Sequence, residues 1–294
     1  MVQLLESEIQ TTEVLGWQGL HLMHHPGSSC SQKLRIYLAT KGLDWTSHIV
    51  DIPAGKNYEP WYLGINPRGL VPTLVHDGTV IIESNDILEY IEAAFPEPAM
   101  IPKDMTDQAL HALVEEDNLH LDLRALSGRY LFPSEAGKKP PQAMEAYAST
   151  GSATVGGKVD AHKAVEIAYF EEIRANDGVS IDRARAAVTK FNAAFDRIET
   201  QLAQTPFVMG DALSVLDIAW YVYCARLHGC GYPIAETWPH LGAWFAQLHA
   251  RPEFQREVMI PPPLRDIAAK RQAEWADAGE ALSQLVPEIA ASAA

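Results

Sequence analysis

Ser28-Ser29-Cys30-Ser31 places three hydroxyls and a thiol in four consecutive residues, between the apolar run Leu20-His-Leu-Met23 and a helical pattern that begins at Ser29. A helix N-terminus presents unpaired N–H groups and the positive end of the backbone dipole. Such a turn is a place to hold an anion, and a thiolate is the anion considered first. The plainer reading is a capping turn, because serine is among the strongest N-cap residues. The segments downstream decide between the two.

Leu20 to His24 reads as a strand ended by Pro26-Gly27. Leu34, Tyr37 and Leu38 recur at helical spacing, and Gly42 stops that helix. Asp44 to Asp51 reads as a second strand, so strand, helix, strand predicts a βαβ unit with parallel strands. Pro53 to Asn66 is irregular. Leu70 to His76 is a strand in which Pro72 fits only at the start or on an edge. Asp77-Gly78 is a hairpin turn, Thr79 to Glu83 returns, and Ser84 is expected to cap a helix from Asn85 to about Phe95.

Beyond the Pro-rich linker Glu97 to Pro102, helical spacing dominates, with no convincing strand pair. Ser214-Val-Leu-Asp217 has the form of a capping box ahead of an apolar helix. The expected organisation is an N-terminal arm (1–19), a βαβ–ββα domain (20–99), an all-helical domain (105–264) with a long insertion near 128–180, and a C-terminal tail (265–294), read as a terminal helix or a frayed end.

The formal net charge of −15 argues against nucleic acid or an anionic membrane surface as partner, since phosphate binding needs a concentrated basic face. No apolar run reaches membrane-spanning length, and Glu6, Glu8 and Glu13 stand where a leader would be basic. A cytoplasmic location is expected. Cys30, Cys224 and Cys230 match neither a disulfide framework nor a structural zinc spacing, and the histidines form no His-Glu-x-x-His helix, so no metal is expected.

Ser28 to Ser31 ahead of Lys33-Leu34-Arg35-Ile36, Val71-Pro72-Thr73, Glu83-Ser84 and Ser214 to Asp217 occur in an order that resembles the glutathione S-transferase family over about residues 20–260. The first turn is similar to that of the zeta class. The resemblance implies an α/β thioredoxin-like N-terminal domain plus an all-α C-terminal domain, glutathione as co-substrate, and a dimer of two copies or of this chain with a related one. It implies a cis peptide before Pro72, with the N–H and C=O of Val71 pairing to extended glutathione like an added strand. Ser84 would take the γ-glutamyl carboxylate and Glu83 its ammonium. Read locally, the same residues are an edge-breaking proline, a plain cap and a solvated charge.

A free thiol near pKa 8.5 is mostly protonated at neutral pH, and a hydroxyl donor at a helix N-terminus lowers that value. By resemblance Ser28 is the first choice to face the sulfur and Ser29 the second. Cys30 is the third, through a mixed disulfide with glutathione, against a reading as a small buried apolar side chain. Gln32 stands where the zeta class has tryptophan. The extra segments look more like bacterial transferases acting on aromatic compounds, including tetrachlorohydroquinone dehalogenases and β-aryl etherases. The reaction implied is thiolate substitution on an aromatic or aryl-ether electrophile. The alternatives are a zeta-type cis-trans isomerase and a non-catalytic interaction module. The acceptor pocket implied by the resemblance has His24, His25 and Pro26 on one wall. Asp117, His120 and Arg124, at helical spacings, are candidates for the other, with His120 as proton donor.

Overall fold

The computed structural model describes residues 1–133, 135 and 138–293. In chain order the elements begin with β1 (Val2–Gln3), β2 (Leu20–His24), α1 (Ser29–Thr40), β3 (Thr46–Ile49), α2 (Pro60–Leu63), β4 (Thr73–His76), β5 (Thr79–Ile82) and α3 (Ser84–Ala94). Then follow α4 (Thr106–Asp117), α5 (His120–Tyr130), α6 (Pro141–Ser149), β6 (Thr154–Val155), β7 (Lys158–Val159) and α7 (His162–Ala175). The chain ends with α8 (Ile181–Leu202), α9 (Val215–Gly229), α10 (Ile234–Thr237), α11 (Pro239–His249), α12 (Pro252–Val258), α13 (Pro262–Asp277) and α14 (Leu282–Ala293). They form two units, each discontinuous in sequence: Met1–Pro98 with Lys138–Ala175, and Ala99–Gly137 with Asn176–Ala294.

In the first unit the sheet order is β1-β5-β4-β2-β3, with β2 parallel to β3 and antiparallel to β4, as a βαβ–ββα chain requires. Strand pleating sorts the core by face. Leu22, Leu74 and Ile81 share one register row and are fully buried. Met23, Val75, Val80 and Ile82 turn the other way and join Leu4, Ile9, Val14, Tyr62 and Val71 in a second cluster. The β4–β5 turn is Asp77-Gly78, both at positive φ (49° and 80°), the geometry of a two-residue hairpin. Glycine at 78 is also a space requirement, since a Cβ there would lie 2.3 Å from the Leu15 carbonyl oxygen.

That approach shows why residues 1–19 are not a loose arm. Val2 pairs with Ile82 across β1–β5, and Leu4 N–H donates to Val80 O at 3.0 Å. Leu4, Ile9 and Val14 are buried, Ile9 capping one 3₁₀ turn (Glu6–Glu8) and Val14 inside a second (Thr12–Gly16), at a five-residue spacing that matches neither helical nor strand period. The expected insertion is likewise redistributed. Residues 138–175 belong with the sheet, not with the helical unit, and contain a strand pair that the sequence did not disclose, β6–β7. Glu8 holds that hairpin: its carboxylate accepts the N–H groups of Gly156 and Gly157, each at 2.9 Å. Residues 134, 136 and 137 of the expected insertion lie outside the described residues.

In the second unit α8 carries Ala184, Ala187, Val188, Phe191, Phe195 and Ile198 on its buried face. Phe195 meets Trp238 and Tyr232 edge-on, at centroid distances of 5.2 and 5.7 Å. The capping box at α9 is present: Ser214 N–H and Oγ donate to Asp217 Oδ2 at 2.9 and 2.6 Å. Of the two expectations for the C-terminal tail, helix or frayed end, the structure has helix, α13 and α14. Leu282, Leu285 and Val286 are buried, so this stretch is part of the core of its unit. Ala294 lies outside the described residues.

Candidate active site

Sheet register collects the candidate segments. Met23 pairs with Thr73, and Thr73 with Ile82. The turn after β2, the chain entering β4 and the chain leaving β5 therefore lie at one end of the sheet. These are the segments that carry Ser28 to Cys30, Val71-Pro72 and Glu83-Ser84.

Ser28 is the N-cap of α1, extended at φ −80°, ψ 123°, and its Oγ accepts Ser31 N–H at 3.3 Å. The same hydroxyl donates to Val71 O at 3.5 Å. Ser29 is buried in the first turn and Cys30 is half-buried. The Val71–Pro72 peptide is cis. Leu70 O, one residue earlier, accepts from Tyr62 Oη (2.5 Å) and Asn66 Nδ2 (2.9 Å), which holds the loop into β4. Val71 N–H meets no hydrogen-bond acceptor among the described residues.

The turn from His24 to Ser28 is clamped from α1. Arg35, itself buried, donates Nη1 to His25 O (3.3 Å) and Nη2 to Pro26 O (3.2 Å), and Gln32 Nε2 donates to Pro26 O at 3.2 Å. Arg35 Nη1 also reaches His24 Nδ1 at 3.2 Å. Because a guanidinium only donates, that nitrogen is the acceptor, and His24 Nε2 carries the hydrogen offered to Ser47 Oγ at 2.7 Å. His24 is thus a buried ring held from both nitrogens. His25 stands half-buried beside the turn, its Nδ1 accepting Gly27 N–H at 3.1 Å. Gln32, at the position where the zeta class has tryptophan, acts in the clamp.

At the exit of β5 the cap of α3 is Glu83, at φ 68° and ψ 121°, and Ser84 is the first helical residue and buried. The expectation of Ser84 as cap fails by one position, because Glu83 takes a left-handed φ that is costly for a residue with a Cβ. Glu83 Oε1 accepts Arg68 Nη1 at 2.5 Å. Arg68 gives its other face to Asp160 as a fork, Nε to Oδ2 at 3.0 Å and Nη2 to Oδ1 at 2.7 Å. Arg68 O accepts Tyr147 Oη at 2.6 Å. Sequence reasoning missed Arg35, Arg68, Tyr147 and Asp160. Nothing local to Asn66-Pro-Arg-Gly69 links it to residue 160.

In the second unit Asp117 closes α4 and His120 opens α5, so the expected Asp117, His120, Arg124 face is not one helix. Asn118 and Leu119 tighten the chain between them, with Leu119 N–H donating to Glu116 O at 3.0 Å. His120 and Arg124 share α5, both half-buried, and His120 Nδ1 lies 3.3 Å from Tyr223 Oη on α9. Cys224 and Cys230 are buried; burial raises both thiols, Cys230 up to about 12. Among the described residues no group of three or more His, Cys, Asp and Glu is placed to hold a metal ion. No described helix is long and apolar enough to cross a membrane.

Two family models match, the glutathione S-transferase N-terminal domain over residues 27–94 and the C-terminal domain over 171–247. Residues 138–170 lie outside both matches. The chain spans less than half the length of two curated plant relatives it matches, 42% and 43%. Other matches run longer. A zeta-class glutathione S-transferase of Euphorbia esula is 32% identical over 59% of this chain and 78% of its own. A tetrachloro-p-hydroquinone reductive dehalogenase of Sphingobium chlorophenolicum is 27% identical over 82% of this chain and 96% of its own. Among solved structures, the β-etherase LigF of Sphingobium sp. strain SYK-6 superposes with a TM-score of 0.64 at 24% identity, covering 82% of this chain and 98% of that one, which speaks for the fold. On the fold, the two domain matches and the Euphorbia relative, the chain belongs to the glutathione S-transferase family.

Proposed function

We propose that this protein binds glutathione along the entry of β4 and uses its thiolate for nucleophilic substitution on an aromatic or aryl-ether electrophile. The observation that carries the reading is the placement of Ser28, Val71 and Glu83-Ser84 at one end of the sheet, with Ser28 Oγ touching Val71 O. Val71 offers N–H and C=O to the peptide of glutathione, Glu83 a carboxylate to its ammonium, and the first turn of α3 its N–H groups to the γ-glutamyl carboxylate. Ser28 is the residue assigned to the sulfur. Its lone pair serves Ser31 N–H while its hydrogen, held only by a 3.5 Å contact, can turn to a thiolate. Ser29 and Cys30 are the next candidates in that order. The thiolate forms a C–S bond as a C–O or C–halogen bond breaks; a departing phenolate takes a proton from solvent, and a halide leaves as the ion.

Similarity to the dehalogenase and the fold shared with the β-etherase support this substrate class. A dimer, of two copies or with a related chain, and a cytoplasmic location are part of the same proposal. The test is a mass-spectrometric screen of glutathione with aryl ethers, halogenated hydroquinones and a maleyl isomer, scoring conjugate, reduced product and isomer. Conjugates of the first two classes are expected. Isomer alone would point to the zeta-type reaction, and no glutathione binding would leave an interaction module.

A second reading attaches to Cys30, half-buried in the first turn of α1. A disulfide between Cys30 and glutathione, trapped in the wild type, together with loss of all activity in Cys30→Ala, would favour it. Unchanged rates in that variant would make Cys30 structural.

A further inference from the structure

The glutamyl end of the proposed site contains a charge arrangement that the family motif alone does not explain. Arg68 is one guanidinium between two carboxylates, and it divides itself unevenly. Asp160 receives the two-bonded fork at 3.0 and 2.7 Å, while Glu83 receives a single bond at 2.5 Å through Oε1. Glu83 Oε2 accepts no hydrogen bond from the described residues, and the Glu83 side chain is 30% exposed against 13% for Asp160. One positive charge against two negative charges leaves the trio with an excess negative charge, and the open oxygen carries it at the surface.

Asp160 comes from the segment outside both family matches. That segment is secured by Tyr147 Oη on Arg68 O and by Glu8 on the Gly156-Gly157 turn. A guanidinium facing Glu83 alone would take the two-bonded geometry itself, because a planar fork matches a single carboxylate. Glu83 would then be neutralised and both of its oxygens occupied.

We propose that Asp160 is a positioning residue for the glutamyl subsite: by occupying the fork of Arg68 it keeps one oxygen of Glu83 available for the ammonium of the γ-glutamyl group. The proposal rests on the reading of Glu83 given above. It makes residues 138–175 a working part of glutathione recognition, and their selectivity falls on the ammonium.

The experiment compares glutathione with N-acetylglutathione, which lacks the ammonium, by calorimetric titration of the full-length wild type, Asp160→Asn and Asp160→Glu. The wild type is expected to prefer glutathione about tenfold or more, the size of one charge-assisted hydrogen bond. In Asp160→Asn that preference falls to about twofold or less, while kcat at saturating glutathione changes less than about threefold; Asp160→Glu restores the preference. Asp160→Ser replaces Asp160→Asn if the latter does not fold. Equal loss of affinity for both ligands would show a merely structural role and overturn the proposal, as would an unchanged preference. A wild type that binds both ligands equally removes the role of Glu83 and the proposal with it. A wild type that binds neither defeats the functional reading itself.

Discussion

Ser28 Oγ stands 3.5 Å from Val71 O while accepting the N–H of Ser31 at 3.3 Å. One hydroxyl thus joins the start of α1 to the loop entering β4 and caps the helix with its lone pair. Capping and thiolate stabilisation use opposite ends of the same O–H group. The two readings of this turn are therefore compatible on a single residue, with capping by Ser28 observed and the catalytic role assigned by proposal.

Ser28→Ala removes both. Losing the cap costs about 1 kcal/mol of stability, and losing a hydrogen-bond donor to developing or resting anionic charge costs on the order of 100-fold in kcat. The ultraviolet thiolate band of bound glutathione at neutral pH is expected to vanish with it, while glutathione affinity changes little. A thiolate band that survives in Ser28→Ala and disappears in Ser29→Ala would move the assignment by one residue.

The sheet and the family motifs were legible because their signals are local: Gly42 after a periodic helix, Asp77-Gly78 between two apolar strands, Ser214 three residues before Asp217. The arginine brace was not, because Arg68 and Asp160 are 92 residues apart and nothing in either neighbourhood requires the other. The cap of α3 was misplaced by one residue because a glutamate at positive φ contradicts its ordinary preferences. Leu4, Ile9 and Val14 hid their burial because the irregular chain around two 3₁₀ turns spaces them at an interval that neither helix nor strand uses.

Glu8 ties the start of the chain to the β6–β7 turn and is almost fully buried. Burial raises its carboxyl pKa, but hydrogen bonds from Thr154, Leu5, Gly157 and Gly156 outweigh that and hold it below the ordinary value of 4.5. A depressed folded pKa stabilises above the unfolded value and is lost as pH falls through the folded one. Glu8→Gln turns a buried amide N–H₂ toward a donor and is expected to cost about 1–3 kcal/mol. Its thermal midpoint should differ from wild type most at neutral pH, with the gap narrowing below 4.5. A constant gap across that range would deny Glu8 its ionised role.

Trp17, His21 and His48 form a stack on the β2–β3 edge: Trp17 lies 4.5 Å from His48 at 11°, and His21 Nδ1 is 2.9 Å from His48 Nε2. Burial foremost, then the neighbouring His21, lowers the pKa of His48 below the ordinary 6.5. The unfolded chain therefore binds a proton there before the folded one does, and stability falls as pH drops below 6.5 until the folded pKa is reached. His48→Phe keeps the stack and removes the titration. Between pH 7.5 and 5.5, about two units across the ordinary value, the wild-type melting temperature should fall more steeply than that of His48→Phe. Parallel slopes would place the titration elsewhere.

Asp217 is fully buried and accepts four hydrogen bonds, from Ser214 N–H and Oγ, Val208 N–H and Trp244 Nε1, at 2.6–2.9 Å. Desolvation still outweighs them and raises its pKa. Its side chain secures the start of α9, the helix that carries Tyr223 to within 3.3 Å of His120. Asp217→Ala leaves four donors, three of them buried, without this acceptor, at roughly 1–3 kcal/mol for each buried one before relaxation, enough to unfold a domain of ordinary stability. Trp244→Phe deletes a donor and leaves the carboxylate three partners, so its cost is expected near 1 kcal/mol. The pair of variants separates the cap from packing. If Asp217→Ala melts within a few degrees of Trp244→Phe, the four bonds contribute little and α9 is held by its apolar face. If it is recovered only as aggregate or with α9 unprotected in hydrogen exchange, the buried carboxylate is what starts the helix, and the His120–Tyr223 contact depends on it.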